Sequence, residues 1–116
     1  MAIIHNLAVL RERIRKLREM PAGWHSGEGE PATRLAADNA TAIGGMFMKH
    51  GAQGVEAFPE RDGGVTVSAY RDRATVEVVC GPKGAFHLTV ENRGDIKEDR
   101  TMVDLPAVEA RIGAWA

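Results

Sequence analysis

Between Val65 and Val90 one pattern occurs three times, and it constrains the fold more than any other feature of the chain. Val65, Val67 and Ala69 alternate with Thr66, Ser68 and Tyr70. Val76, Val78 and Cys80 alternate with Thr75, Glu77 and Val79, and Phe86, Leu88 and Val90 alternate with His87, Thr89 and Glu91. A period of two sends successive side chains to opposite faces, so each run reads as a strand with one buried and one wetter face. The connections, Arg71-Asp72-Arg73 and Gly81-Pro82-Lys83-Gly84, are too short for a crossover, and the pairing must be antiparallel. A shorter strand from Val55 to Phe58 leads into a Pro59–Gly64 hairpin, where Asp62-Gly63-Gly64 favours positive φ. A further edge strand is expected near Arg100–Val103. Val67, Val78, Phe86 and Leu88 should face helices, and Thr66, Glu77, His87 and Thr89 should face away.

The flanking segments change period. Ile3, Leu7, Leu10, Ile14 and Leu17 recur at 4-3-4-3 spacing, an amphipathic stripe ended by Pro21 and Gly23. Two heptads are too few for a coiled coil, so the stripe is expected to pack on its own domain. A second helix is predicted from Pro31, in the first turn, to about His50, with Leu35, Ala36, Ile43, Met46 and Phe47 buried. Gly44 and Gly45 inside it point to close packing of another backbone. Asp104 is a good N-cap for a last helix carrying Val108, Ile112 and Trp115 on one side. With no strand–helix–strand alternation, the expected architecture is one α+β domain over residues 1–116. It is a four- to five-stranded antiparallel meander, with two N-terminal helices and one C-terminal helix packed on one face.

Composition excludes several classes. Aromatics are only 5% of residues, so the core must be aliphatic. Cys80 is the only cysteine, which rules out an intrachain disulfide and suits a reducing compartment. The formal net charge of −1 gives no global pull toward nucleic acid or membrane. No apolar run approaches membrane-spanning length, and Met-Ala-Ile-Ile-His-Asn-Leu lacks signal-peptide character, so the expected location is the cytoplasm without membrane association.

Candidate chemistry is sparse. His5, His25, His50 and His87 are all at least 20 residues apart, unlike the paired spacing of zinc ligands, and no metal or cofactor is expected. Cys80 occupies an inward strand position, where cysteine acts as a small hydrophobe. His25, Ser26, Glu28 and Glu30 gather catalytic residue types on one glycine-rich loop, and a small hydrolase or transferase built on His25, Glu28 and Glu30 is one reading. The plainer one is that they cap and solvate the following helix. Gly23–Gly29 lacks the phosphate-loop pattern, and Arg93-Gly94-Asp95 reads as a turn. Arg11, Arg13, Arg15, Lys16 and Arg18 make the first helix basic, which permits phosphate contacts, although Tyr70 is the sheet's one outward aromatic where an RNA platform shows two or three. The mildly polar outer sheet face, with Tyr70, Val79 and His87, is a candidate docking surface.

Gly23-Trp24, Gly27, Pro31 and Phe58-Pro59-Glu60-Arg61-Asp62-Gly63-Gly64-Val65 resemble a loosely defined group of small bacterial and phage proteins, mostly uncharacterised. In that group a short helix leads to a Gly/Asn-Trp-x2-Gly loop, a second helix and a Pro-x2-Asp-Gly-Gly hairpin opening a sheet. The resemblance covers about residues 14–70. It implies the order of elements and an association with mobile elements and toxin–antitoxin-like loci. Together with the residue reading, the expected function is a non-enzymatic interaction protein, antitoxin-like, inhibitor-like or a small assembly subunit. The expected partner is a protein, with self-association left open. Contact candidates are Arg11, Arg15 and Arg18 on the helix, Trp24 on the loop, and Tyr70, Val79 and His87 on the sheet. A nucleic-acid-associated regulator using the basic helix is the alternative.

Overall fold

The computed structural model describes residues 3–115, the side chain of Trp115 excepted. Its order is α1 (Leu7–Arg18), α2 (Arg34–Lys49), β1 (Gly54–Pro59), β2 (Val65–Arg71), β3 (Ala74–Cys80), β4 (Phe86–Asn92), β5 (Asp95–Met102) and α3 (Leu105–Trp115). The five strands form one antiparallel meander in the order β1-β2-β3-β4-β5. The expected α+β domain is therefore observed, with two helices before the sheet and one after.

Helix boundaries differ from the sequence expectation because capping side chains decide them. Asn6 is extended, and its carboxamide accepts the Val9 N–H at 2.9 Å, so α1 begins at Leu7. Ile3 consequently leaves the stripe and is exposed, while Ile4 is buried and exchanges backbone hydrogen bonds with Val55 at 2.7 and 2.9 Å. Thr33 caps α2 by accepting from Ala36 N, which leaves Pro31 outside the helix. Leu35, expected inside, is 47% exposed because the buried stripe runs through Ala36, Ala40, Ile43 and Phe47. Met46 is half-buried. Gly44 marks a close approach, but of a side chain and not of the expected backbone: a Cβ there would lie 2.0 Å from Leu10 Cδ2, while Gly45 stands at ordinary contact distance from Leu7. The Leu10 side chain fills the space that a side chain at position 44 would take.

The register fixes two sheet faces. Val67, Val78 and Leu88 are cross-strand neighbours on the helix side, as are Val65, Cys80, Phe86 and Met102. All are buried in the same core cluster as Leu10, Ile14, Leu17, Ile43, Phe47, Val108 and Ile112. Thr66, Glu77, His87 and Thr89 lie on the opposite face, as their alternation requires. That face is not uniformly wet, however: Thr66, Ser68 and Glu56 are buried, with Ser68 only 1% exposed. Strand β5 is longer than expected, and its charges, together with a bulge at Val90/Glu91, blunt that edge. The β1 edge is covered by Ile4, by Arg13 Nε donating to Ala57 O at 3.2 Å, and by Pro59, which has no N–H.

Helix α3 is capped by Asp104, which accepts from Ala107 N at 2.9 Å. It is tied to the sheet by Arg111, whose guanidinium makes a fork with the Glu98 carboxylate at 2.6–2.9 Å. Those hydrogen bonds hold Glu98 below the usual carboxylate range.

Two predictions follow from this frame. Leu88→Ala should cost roughly 2–5 kcal/mol in chemical denaturation, and Thr89→Ala less than about 1, because only Leu88 is sealed in the core. Arg111→Gln should cost about 1 kcal/mol near neutral pH, with the loss confined to stability. The folded pKa of Glu98 is depressed, so the pair stabilises above the unfolded value of about 4.3 and fades as pH falls through the folded value. Denaturation curves of variant and wild type should therefore converge below about pH 4.

Candidate functional site

The sequence-selected residues do not form one site. Arg11, Arg15 and Arg18 project from α1 on the helix side, where they line a shallow cleft of about 310 Å³ with Asp38 and Thr41 of α2. All three are exposed. Arg15 is bonded at 2.5 Å to both Glu12 and Glu19, and these carboxylates raise its pKa further above an already high value. A guanidinium held this way has little left to offer a phosphate.

Tyr70, Val79 and His87 lie on the opposite, outer face of the sheet. Val79 and His87 are direct cross-strand neighbours, whereas Tyr70 pairs with Thr75 at the far end of the strands. His87 is engaged rather than open: Nε2 contacts Asp99 Oδ1, and Nδ1 lies 3.3 Å from Thr101 Oγ1. Thr89 Oγ1 also donates to Asp99, and Ser68 Oγ donates to Glu77 at 3.2 Å. Burial raises the Tyr70 hydroxyl, and the nearby Glu56 carboxylate adds to the shift. Among the described residues no group of three or more His, Cys, Asp or Glu is arranged to hold a metal ion.

The glycine-rich loop is a small hairpin. His25 and Glu28 exchange backbone hydrogen bonds at 2.7 and 2.9 Å, and Ser26, Gly27 and Gly29 take positive φ. Trp24 closes the loop: Nε1 donates to Glu30 O at 2.8 Å, and the ring meets His25 edge-on. A Cβ on Gly29 would fall 2.7 Å from the indole, so glycine is required there on two counts. Glu28 faces Arg61 at 3.6 Å. Trp24 is thus half-buried and holds its own loop, and among the described residues no hydrogen bond or ion pair joins the side chains of His25, Glu28 and Glu30 into a proton relay.

A groove of about 610 Å³ between α1 and the β1 edge was not visible in the sequence. Ile4, Ala8, Val9 and Phe58 supply apolar walls, and Glu12, Arg13 and Lys16 stand around them. Glu56 also lines it, although only 3% exposed; its carboxylate lies on the outer face of the sheet with the Tyr70 hydroxyl, where Oε2 is buried without a hydrogen-bond partner. Val9 was the one available signal, as an apolar residue off the buried stripe of a basic helix. It is 51% exposed.

Cys80 is sealed under the sheet, and burial pushes its thiol up to about 12. A thiol held protonated is a poor nucleophile, so the native protein should react with a disulfide reagent at least roughly a hundredfold more slowly than the denatured chain. Fast native labelling would contradict the burial.

Three comparisons with known proteins place no relative beside this arrangement: no family model, no curated protein and no solved structure matches the chain.

Proposed function

We propose that this chain is a non-enzymatic interaction protein that acts by occupying a protein partner's surface, as an antitoxin, a phage-encoded inhibitor or a small assembly subunit does. The groove between α1 and β1 is where the partner docks. The observation that carries this reading is the groove's make-up: apolar walls from Ile4, Ala8, Val9 and Phe58 inside a charged margin. That is the anatomy of an interface, a dry centre ringed by polar groups.

The arginines of α1 suit steering better than a nucleic-acid contact, because Arg15 is already neutralised by two carboxylates. Reversing Arg11 and Arg18 should accordingly slow association and alter its salt dependence without loosening the fold.

The deciding experiment reconstitutes the complex from this chain and its purified partner, identified by affinity capture and confirmed at defined stoichiometry. Val9→Glu should weaken the complex by at least about tenfold, since it puts a charge into the apolar centre. The melting temperature should hardly move, because Val9 is half exposed. Thr75→Glu, on the outer sheet face, should leave binding intact. A complex indifferent to Val9→Glu but lost with Thr75→Glu would move the docking surface to the sheet, and substrate turnover by the isolated chain would overturn the reading.

A further inference from the structure

The end of the sheet that carries the β2–β3 and β4–β5 turns holds a second cavity, of about 740 Å³. Arg71, Arg73, Arg93 and Lys97 line it, with Asn92 and Ala74 between them and Asp72 and Asp95 as the only acids. The pairings Arg71↔Ala74 and Asn92↔Asp95 leave two-residue turns, Asp72-Arg73 and Arg93-Gly94. The Arg93 N–H donates to Arg73 O at 3.2 Å, which joins the two turns into one rim. Asp72 is already held by Gln53, which donates to its carboxylate at 3.3 Å and accepts its N–H at 2.7 Å. Asp95 reaches only Lys97, at 3.9 Å. Among the described residues neither Arg73 nor Arg93 has an ion-pair partner.

Backbone geometry makes Arg93 notable. Its φ is 53°, in the left-handed region, followed by Gly94 at 87°. Two positive φ values define the tight hairpin turn for which asparagine followed by glycine is the favoured pair. Arginine there carries a steric penalty that asparagine largely escapes. Replacing it by asparagine should therefore leave the turn formed.

We infer that this cavity binds an oligophosphate group, a di- or triphosphate carried by a nucleotide or present as inorganic polyphosphate. Cations converge from two tied turns, and guanidinium groups match phosphate oxygens in a bidentate way. No aromatic side chain lines the cavity, so nothing stacks on a base, and recognition is of the phosphates. A cavity of this size accommodates such a group. The site is separate from the α1–β1 groove and shares no residue with it.

Calorimetric titration with sodium tripolyphosphate, a nucleoside triphosphate and a twelve-residue oligothymidylate without terminal phosphates, at about 50 and about 200 mM salt, tests the inference. Tripolyphosphate and the nucleotide should bind with similar affinity, and the oligonucleotide far more weakly. Arg93→Asn should lower tripolyphosphate affinity about tenfold or more while the melting temperature holds or rises, because asparagine suits the turn better. Arg73→Gln should cause a comparable loss, and Arg34→Gln, on α2, none. Absence of tripolyphosphate binding at the lower salt would overturn the inference, as would undiminished binding by Arg93→Asn. Tighter binding of the oligonucleotide than of tripolyphosphate at both salt concentrations would overturn it in favour of a polynucleotide backbone.

Discussion

The contact of Leu10 with Gly44 sets where α1 can lie, and much else depends on it. A side chain at position 44 would force the Leu10 side chain out of its place, since the missing Cβ would stand 2.0 Å from Leu10 Cδ2. At the observed spacing Ile14 and Leu17 join the same core as Ile43 and Phe47. The same placement lets Arg13 reach Ala57 O and brings Val9 and Ala8 beside Phe58. A glycine inside a helix weakens it locally by up to about 1 kcal/mol, and the dense helix–helix contact offsets that. The groove is a consequence of this packing.

Across the meander, burial falls steadily from β2 to β5. Strand β2 is buried on both faces over most of its length, whereas β5 is exposed on both except at Glu98 and Met102. On the outer face this gives a row of Glu56, Ser68, Glu77, Thr89 and Asp99 that begins under cover and ends in water. The polar groups at the covered end therefore need internal partners far more than those at the open end. Ser68 finds one in Glu77; Glu56 Oε2 does not.

Period-two alternation was enough to assign strands, their faces and the antiparallel meander, because side-chain direction is a local property of extended backbone. Exposure is not local, which is why Thr66 was read as wet and is buried. Helix ends were misplaced for a similar reason: Asn6 and Thr33 outcompete the longer apolar stripe and the proline, and the sequence offers several polar residues near each end. A close approach at Gly44 was legible, since two glycines within a helix have few explanations, but that the approaching group is the Leu10 side chain and not a backbone was not. The contact candidates were legible only one by one. Arg11, Arg15 and Arg18 are exposed as expected, yet nothing in their spacing tells that Arg15 is held by Glu12 and Glu19. The groove joins Ile4, the first turns of α1 and three residues of β1, and the oligophosphate cavity joins two turns about twenty residues apart. Neither has a contiguous signature.

An open sheet edge recognises any extended chain, and this molecule blocks both of its edges in different ways. At β1 the outward-pointing backbone groups of Val55 are taken by Ile4, Ala57 O is taken by Arg13, and Pro59 has no donor to give. At β5 a bulge and charges of both signs, Lys97, Glu98, Asp99 and Arg100, oppose regular pairing with another strand. Adding a partner strand to β1 would first have to break the Ile4 and Arg13 hydrogen bonds, and replacing bonds already made yields little net free energy. The proposed docking in the groove beside β1 accordingly rests on side chains entering between its apolar walls and not on an added strand.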